Sequence, residues 1–311
     1  MDTILVAGAG GLGSIYAGLL AAAGADVAVL AHGAHDDALR RDRLELRLPT
    51  GTTRAGVRAV DSAEAGILLL TCRLFDTDDV LDRVQGRPDV AVSFQNGLAK
   101  NDVLAQRFGS DVVVQSASTL AAELIEPGIA ESVGFGATYL DVDPRGDPLA
   151  DLLAAAGLSV QRVDGETAEW SKLAMVASIM GLQALTRLFL HELLMSSDGA
   201  ALVQSICREV AAIAAVSGAC LADLPGMMPV RTLADSDLAV AEKVLHEQGE
   251  KLIETGATAR RTSLFRAAQA GKRTELDGIL GELVRRGAAA ELSLCALETQ
   301  WRLARLSGIK A

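Results

Sequence analysis

The residue with the clearest capacity for acid–base chemistry is a lysine at the start of an apolar helical segment. Lys172 follows Trp170 and Ser171, and helical spacing places Val176 and Met180 on the same stripe of that helix. An ammonium group beside such a stripe is poorly hydrated and therefore gives up a proton more readily. A lysine that extends from a core helix to solvent has the same sequence pattern. The pattern alone thus allows a general acid or a structural lysine.

A carboxylate and a hydroxyl further along the chain are the other candidates for chemistry. The segment from Thr274 to Asp277 has the spacing of a helix capping box, with Thr274 as the N-cap and Asp277 reaching back to it. Glu275 is not needed for that motif and stays available for another role. Ser263 is predicted to be the N-cap of a helical segment over 264–270.

The first thirty residues have the pattern of a β-α-β unit that binds dinucleotides. Buried strands are predicted at 3–7 and 26–30, with an apolar helix between them. In the turn, Gly8 makes the tight bend, Gly10 lets the backbone approach a pyrophosphate and Gly13 allows the helix and strand to pack closely. The helix N-terminus then directs unpaired N–H groups at the phosphates. The whole turn consists of Gly8, Ala9, Gly10, Gly11, Leu12 and Gly13.

The end of the second strand favours NADP over NAD. An NAD site usually has an acidic residue there, whereas this chain has His32 and its acids come only at Asp36 and Asp37. An acid at this point would repel a 2′-phosphate, so its absence fits NADP. His32 is either a partner of that phosphate or a solvated loop histidine. Arg73, at the end of a later strand, can supply the positive charge.

Asn96 lies where the sheet of an α/β domain binds its ligands. Further buried strands are predicted at 67–70, 89–94 and 111–115. Ligands of open α/β sheets bind beyond the carboxyl ends of the strands, and Asn96 follows the strand at 89–94. Asn96 and Gly97 also form an ordinary turn dipeptide, so position alone leaves both roles open.

The chain is predicted to form an α/β domain followed by an all-α domain. Antiparallel strands at the sheet edge are expected between 128 and 143, and helices alone follow the boundary, the first of them over 168–194. We therefore predict a Rossmann dinucleotide-binding domain over 1–165 and a helical substrate domain over 166–311. The cleft between two such domains is the expected site.

The bulk composition excludes several classes of partner. The length of 311 residues, half of them hydrophobic, fits two globular domains. A formal net charge of −11 argues against nucleic acid or an anionic membrane as a partner. The four histidines are isolated, so no metal-ligand spacing is present. The absence of a signal peptide indicates a cytoplasmic protein. Four scattered cysteines are predicted to be reduced and to act as small buried hydrophobes: Cys72, Cys207, Cys220 and Cys295.

Four motifs follow one another in a specific order and spacing: Gly8-Ala9-Gly10-Gly11-Leu12-Gly13, Gln95-Asn96-Gly97, Trp170-Ser171-Lys172-Leu173, and Ser263 with Gly271-Lys272-Arg273-Thr274-Glu275-Leu276-Asp277. Together they resemble the ketopantoate reductase family, whose members reduce 2-dehydropantoate to pantoate with NADPH. The resemblance covers nearly the whole chain. It implies a Rossmann domain, a helical second domain and NADPH as the cofactor.

The resemblance also implies roles for individual residues. Lys172 matches the general acid that protonates the carbonyl oxygen, and Glu275 matches the carboxylate that orients lysine and substrate. Ser263 matches a hydroxyl that holds the substrate carboxylate. Asn96 matches a residue near the nicotinamide ribose and the substrate. Arg73 stands where the family usually has a lysine near the cofactor phosphate, so the charge is kept.

The chain departs from the family in the substrate pocket. Val176 and Met180 stand where the family has asparagines, and Leu190 stands at a third such position. His32 replaces the arginine expected at the tip of the second strand. Each lost asparagine hydrogen bond would weaken binding of a polyhydroxylated acid by about 1–3 kcal/mol. These replacements favour a more apolar 2-oxo acid or ketone as the substrate.

The sequence therefore predicts an NADPH-dependent reductase in which Lys172 gives the proton and Glu275 holds it in place. One alternative is an authentic 2-dehydropantoate 2-reductase of pantothenate biosynthesis that tolerates Val176 and Met180. A second is a catalytically idle NADP-binding sensor or scaffold, and a third is an imine or opine reductase that requires an amine. Several helices look apolar on more than one face, which fits a homodimer through the helical domain.

Overall fold

The computed structural model describes residues 3–132, 136–259 and 261–310. The chain divides into two compact units, Met1–Glu166 (unit 1) and Thr167–Ala311 (unit 2). Unit 1 combines strands with short helices, whereas the regular structure described in unit 2 is helical.

The strands of unit 1 are β1 (Ile4–Ala7), β2 (Val27–Leu30), β3 (Leu44–Leu48), β4 (Gly51–Ala55), β5 (Arg58–Ala59), β6 (Ala63–Glu64), β7 (Ile67–Leu70), β8 (Val84–Gln85), β9 (Val90–Ser93), β10 (Ser116–Ser118), β11 (Ala122–Glu126), β12 (Ile129–Ser132), β13 (Ala137–Asp141) and β14 (Ser159–Val163). Its helices are α1 (Gly11–Ala22), α2 (Gly33–Arg41), α3 (Thr77–Leu81), α4 (Lys100–Phe108) and α5 (Asp147–Ala155).

The central sheet of unit 1 is parallel, with the order β5-β2-β1-β7-β9. Ile4 of β1 pairs with Val27 on one side and with Ile67 on the other. Every residue of β1, β2, β7 and β9 is buried, because helices or strands cover both faces of the sheet. Continuous apolar runs are the expected sequence of such strands. The sheet confirms the predicted Rossmann architecture.

A second sheet, of order β11-β12-β3-β4, lies against α1 and corrects the prediction of edge strands. Strand β12 pairs in parallel with β3, so it does not extend the central sheet. Strand β13 belongs to a third sheet, of order β10-β13-β14. Residues 133–135 of the predicted segment 128–143 lie outside the described residues. The β3–β4 hairpin was not predicted, although the residues of β3 alternate between apolar and polar.

The strand predicted at 111–115 is wrong. Residues Ser110–Val112 form a 3₁₀ turn, and Val113 makes a single parallel bridge to Ala91. Regular pairing begins only at β10. The Asp111 carboxylate accepts a hydrogen bond from Arg87, and its carbonyl oxygen accepts one from Arg145. These polar contacts hold the chain in a turn where the apolar pattern predicted an extended segment.

The helices of unit 2 are α6 (Gly165–Thr186, which begins at the boundary), α7 (Leu190–Met195), α8 (Ser197–Val216), α9 (Val230–Asp235), α10 (Leu238–Glu254), α11 (Ser263–Gln269), α12 (Glu282–Ala289) and α13 (Cys295–Leu306). The single helix predicted over 168–194 is divided in two. The chain leaves the helical conformation at Arg187, where φ = 63°. A new helix then begins after Phe189, whose N–H donates to the Glu192 carboxylate at 2.7 Å.

Helix α8 is, among the residues described, the one helix long and apolar enough to cross a membrane by length and composition. Half of its most apolar 18-residue stretch is buried within the protein. The buried side chains include Val203, Ile206 and Val210, at helical spacing. The core helix of a soluble protein can have the same length and composition, so these two properties are weak evidence that α8 spans a membrane.

The cysteines differ in burial, which corrects one expectation. All four are free, but only Cys207 is buried, and burial raises the pKa of its thiol to about 12. Cys72 is partly exposed, while Cys220 and Cys295 are exposed. Cys220 lies in the loop after α8, and Cys295 is the first residue of α13.

Candidate active site

The glycine turn of unit 1 is built by close backbone contacts. Gly8 has φ = 110°, a conformation that glycine adopts readily. A Cβ added at Gly13 would collide with the Gly8 carbonyl oxygen and lie 2.5 Å from the Thr71 hydroxyl. Thr71 follows β7 and donates a hydrogen bond to the Gly8 carbonyl oxygen at 2.8 Å. The turn is therefore held by both the first helix and the neighbouring strand.

The two middle glycines of the turn have different surroundings. A Cβ added at Gly11 would lie 2.7 Å from the Glu123 backbone of β11, so Gly11 is required for packing within unit 1. A Cβ added at Gly10 would meet nothing within 4 Å. Gly10 thus faces open space at the start of α1, where the helix N-terminus attracts an anion. Leu12 follows Gly11 in the first turn of α1 and is half-buried.

The tip of β2 carries an exposed histidine and an arginine that organises the backbone. His32 precedes α2 as its N-cap and makes no capping hydrogen bond with its side chain. Arg83 donates hydrogen bonds to the carbonyl oxygens of Ala31, Val60 and Asp61 at 2.8–3.1 Å. Asp36 lies on α2 and pairs with Arg40 at 2.7 Å. Arg73 follows β7, on the opposite side of β1, and is exposed.

Sequence reasoning missed His35, which lies beneath the glycine turn. Its Nδ1 accepts the Gly128 N–H at 2.9 Å, so the ring proton is on Nε2 and is donated to the Ser14 hydroxyl at 3.1 Å. Ser14 in turn donates to the Ala9 carbonyl oxygen at 3.2 Å. Burial, with a smaller effect of His32, lowers the pKa of His35 below its ordinary value of 6.5. A neutral imidazole therefore joins the glycine turn to the β11–β12 hairpin.

Tyr16 of α1 is a second residue that the motifs did not reveal. Its hydroxyl lies 2.9 Å from the Ser118 hydroxyl and 2.6 Å from the Thr138 hydroxyl, and its ring stacks on Phe94 at 4.6 Å between centroids. Burial raises the pKa of Tyr16 to about 12. These contacts fix the helix that follows the glycine turn against β10, β13 and the end of β9.

The turn that carries Asn96 is fixed by buried polar neighbours. Gln95 donates to the Thr77 hydroxyl at 2.8 Å and to the Cys72 carbonyl oxygen at 3.1 Å, which joins the ends of β9 and β7. Lys100, only 3% exposed, donates to the Ser93 carbonyl oxygen at 2.8 Å. The helix dipole disfavours a cation at the first residue of α4. The position of Lys100 there is the sequence signal that its ammonium group binds an acceptor outside the helix. Asn96 itself is half-buried.

Both predicted acid–base residues of unit 2 are buried. Lys172 on α6 and Glu275 before α12 are each 7% exposed. A lysine that extended to solvent would expose its ammonium group, so this burial argues against that arrangement for Lys172. On the same stripe of α6, Val176 is half-buried and Met180 is 2% exposed.

The capping box predicted around Glu275 is wrong. The Thr274 hydroxyl donates to the Lys310 carbonyl oxygen at 2.8 Å and accepts the Leu276 N–H at 3.3 Å. Asp277 does not reach back to Thr274, because its carboxylate accepts the Trp301 indole N–H at 2.7 Å. A π-helical turn, Asp277–Gly281, follows Glu275, and such turns are frequent at functional sites.

The start of α11 is fixed to α6 by a buried glutamine. Thr262, and not Ser263 as predicted, is the N-cap of α11 and accepts the Phe265 N–H at 3.3 Å. Gln183, which is fully buried, accepts the Thr262 N–H at 3.0 Å. Gln183 lies eleven residues after Lys172, which is close to three full helical turns. Ser263, the first residue of α11, therefore lies close to the C-terminal end of the stripe on α6 whose first residue is Lys172.

The described side chains offer acid–base and hydrogen-bonding groups but, within the described ranges, no group of three or more metal-ligating residues. Unit 1 provides an open glycine turn at a helix N-terminus. Unit 2 provides a buried lysine, a buried carboxylate and an apolar stripe along α6, and Ser263 lies at the start of α11, where Gln183 of α6 holds Thr262.

Comparison with known proteins identifies relatives along the whole chain. Residues 4–144 match the family model for ketopantoate reductase PanE/ApbA, and residues 164–307 match its C-terminal model. The 2-dehydropantoate 2-reductase of Halobacterium salinarum is 25% identical, with 98% of each chain covered. That of Archaeoglobus fulgidus is 26% identical and covers 92% of this chain and 91% of its own.

Solved structures give the same result. A PanE/ApbA family ketopantoate reductase from Ralstonia eutropha superposes with a TM-score of 0.81 at 26% identity, over 98% of this chain and 97% of its own. The ternary structure of D-mandelate dehydrogenase with NADH and anilino(oxo)acetate shares the fold, with a TM-score of 0.82 at 18% identity over 98% and 97%. The chain belongs to the ketopantoate reductase family of NAD(P)-dependent enzymes and is an oxidoreductase that acts on a carbonyl or CH–OH group.

Proposed function

We propose that this chain is an NADPH-dependent reductase of 2-oxo acids or ketones, with Lys172 as the general acid. The observation that carries the proposal is the burial of Lys172 and Glu275 in the same helical unit, each 7% exposed. A buried ammonium group is poorly hydrated and donates a proton to a carbonyl oxygen more readily than a solvated one. Glu275 orients the ammonium group, and Asn96 and Ser263 hold the substrate.

The residues of unit 1 fit a dinucleotide with a 2′-phosphate. Gly8, Gly10, Gly11, Leu12 and Gly13 form the turn that receives the diphosphate, and a Cβ at Gly10 would fill the open space there. His32 and Arg73 follow the strands on either side of β1 and provide the contacts to the phosphate. NADPH supplies the hydride when it is bound. Residues 1–165 thus serve as the NADP-binding domain and 166–311 as the substrate domain.

Helices α8 and α10 support a homodimer formed through the substrate domain. Apolar side chains there are 43–56% exposed: Leu202, Val216, Leu238, Val240 and Ile253. The protein is proposed to act in the cytoplasm on a small molecule, with neither nucleic acid nor a membrane as a partner. The charge of −11 supports this view.

NADPH oxidation with a panel of 2-oxo acids and ketones tests the reaction and the role of Lys172 together. Lys172→Ala is expected to lower kcat by about 10²–10⁴-fold, the usual contribution of a general acid, and to leave NADPH affinity unchanged. Lys243→Ala is the matched control, because Lys243 is 78% exposed on α10. Unchanged turnover in Lys172→Ala would show that the proton comes from another group.

An authentic 2-dehydropantoate 2-reductase is the second candidate, favoured by the name of the relatives that cover 98% and 92% of this chain. The same panel separates the two candidates by kcat/KM. The first predicts higher values for apolar 2-oxo acids than for ketopantoate, because Val176 and Met180 offer no hydrogen bonds. The second predicts the reverse order.

A further inference from the structure

Arg261, just before the start of α11, packs against two aromatic rings. Its guanidinium carbon lies 4.1 Å from the ring centroid of Phe189 and 4.6 Å from that of Phe265. Phe265 is 3% exposed, and the Phe189 backbone is fixed by the Glu192 carboxylate. Cation–π contacts of this kind orient a guanidinium without using its N–H donors.

The donors of Arg261 are not used within the part of the chain that the structure describes. Its Nε is buried and has no hydrogen-bond partner there. Buried N–H groups are nearly always paired, and a buried donor left alone is costly. The side chain is thus oriented but lacks an acceptor.

The position of Arg261 connects it to the substrate side of the site. Its neighbour Thr262 is held by Gln183 at the end of the α6 stripe, and Ser263 follows. The guanidinium held by the two rings therefore belongs to a residue two positions before the proposed substrate-binding hydroxyl of Ser263. Because two residues of chain span at most about 7 Å, an anion bound at Ser263 lies within the length of an arginine side chain from Arg261.

We propose that Arg261 binds the carboxylate of the substrate and selects 2-oxo acids over uncharged ketones. This inference rests on the proposed reductase function and narrows its substrate class. A planar guanidinium pairs with a carboxylate through parallel N–H donors, a geometry that lysine cannot reproduce. The pair forms with the substrate and persists in the transition state, so Arg261 acts on KM more than on kcat.

The test compares 2-oxo acids with their methyl esters, which lack the charge. In Arg261→Leu, kcat/KM for the acids is expected to fall about ten- to hundredfold through KM, while values for the esters stay within about twofold. Arg261→Lys keeps the charge and is expected to recover only part of the loss. Arg302→Leu is the matched control, because Arg302 also lies over an aromatic ring, Trp301, but pairs with Glu298.

Calorimetric titration with oxamate separates this inference from the reductase proposal. Oxamate is a 2-oxo acid analogue that is not reduced, and its affinity is expected to fall about tenfold or more in Arg261→Leu. If the wild-type protein reduces no carbonyl compound, the reductase proposal fails, and the oxamate titration still decides the role of Arg261. If Arg261→Leu retains the wild-type selectivity and oxamate affinity, the inference is wrong even when Lys172→Ala is inactive. Arg261→Gln, with an unchanged melting temperature, replaces the leucine variant if the latter does not fold.

Discussion

Replacing two glycines of the same turn by alanine is expected to have different effects: Gly13→Ala should lower stability, whereas Gly10→Ala should weaken cofactor binding. A Cβ at Gly13 meets the Gly8 carbonyl oxygen and the Thr71 hydroxyl, both held by the chain itself. A Cβ at Gly10 meets nothing within 4 Å, and the φ of −74° at Gly10 suits alanine. Gly13→Ala therefore tests packing, and Gly10→Ala tests the approach of the cofactor.

The magnitudes follow from these surroundings. Overpacking at Gly13 is expected to cost about 2–3 kcal/mol, which lowers the melting temperature of a unit this size by about 4–12 °C. Gly10→Ala weakens an N-cap by at most about 1 kcal/mol, so its melting temperature falls by no more than about 4 °C. A methyl group in the path of the diphosphate costs about 1–3 kcal/mol of binding, or about 5- to 150-fold in Kd.

Circular dichroism melting and calorimetric titration with NADPH and NADH measure the two effects. Gly56→Ala is the control, because a Cβ there also meets nothing within 4 Å and Gly56 lies outside the turn. Wild-type cofactor affinity in Gly10→Ala would mean that the diphosphate does not cross this residue. A wild-type melting temperature in Gly13→Ala would refute the packing argument.

Two further predictions concern the histidine beneath the turn and the apolar surface of unit 2. Burial lowers the pKa of His35, and His32 and Asp36 are the charged groups that act on it. The unfolded chain thus takes up this proton first, so the contribution of His35 to stability is full above about pH 6.5 and is lost as the pH falls below it. Chemical denaturation from pH 7.5 to 5 should show a smaller loss in His35→Gln than in wild type, and equal losses would contradict the assignment. Val240 is 44% exposed on α10, and Val240→Asp should convert the proposed homodimer to a monomer in sedimentation velocity. A variant that stays dimeric would show that Val240 lies outside the interface.

Local patterns predicted the parts of the fold whose cause is local. The strands β1, β2, β7 and β9 are continuous apolar runs, and the glycine turn has a fixed spacing, so the Rossmann core was readable. The β3–β4 hairpin is an exception, because β3 alternates apolar and polar residues and was still missed. Its parallel pairing with β12, far along the chain, has no local signal. The helix break at Arg187 was missed because neither glycine nor proline marks it.

The same distinction applies to the candidate site. Lys172 could be selected as a candidate because its charge interrupts an apolar stripe, a pattern visible in a few turns of helix. Asp277 was assigned to a capping box because the spacing allowed it, but Trp301, which takes its carboxylate, comes 24 residues later. The hydrogen bonds of Gln95, Lys100 and Gln183 were not predicted, because their partners are backbone or hydroxyl groups on other segments of the chain. Buried polar networks are specified by the fold, so single-residue patterns do not reveal them.

The apolar stripe and the arginine have unequal consequences for selectivity. A pocket that hydrogen-bonds a hydroxyl rejects an analogue without it by about 10⁴-fold or more, whereas an apolar pocket rejects an added hydroxyl by only about 10²-fold. In the proposed function Val176 and Met180 line the substrate pocket, where they would lower the discrimination between ketopantoate and less polar acids. The proposed contact between Arg261 and the substrate carboxylate adds discrimination at the other end of the substrate. Its expected contribution to kcat/KM for the acids is about ten- to hundredfold. We therefore expect an enzyme that tolerates variation in the side chain of the acid but requires the acid itself.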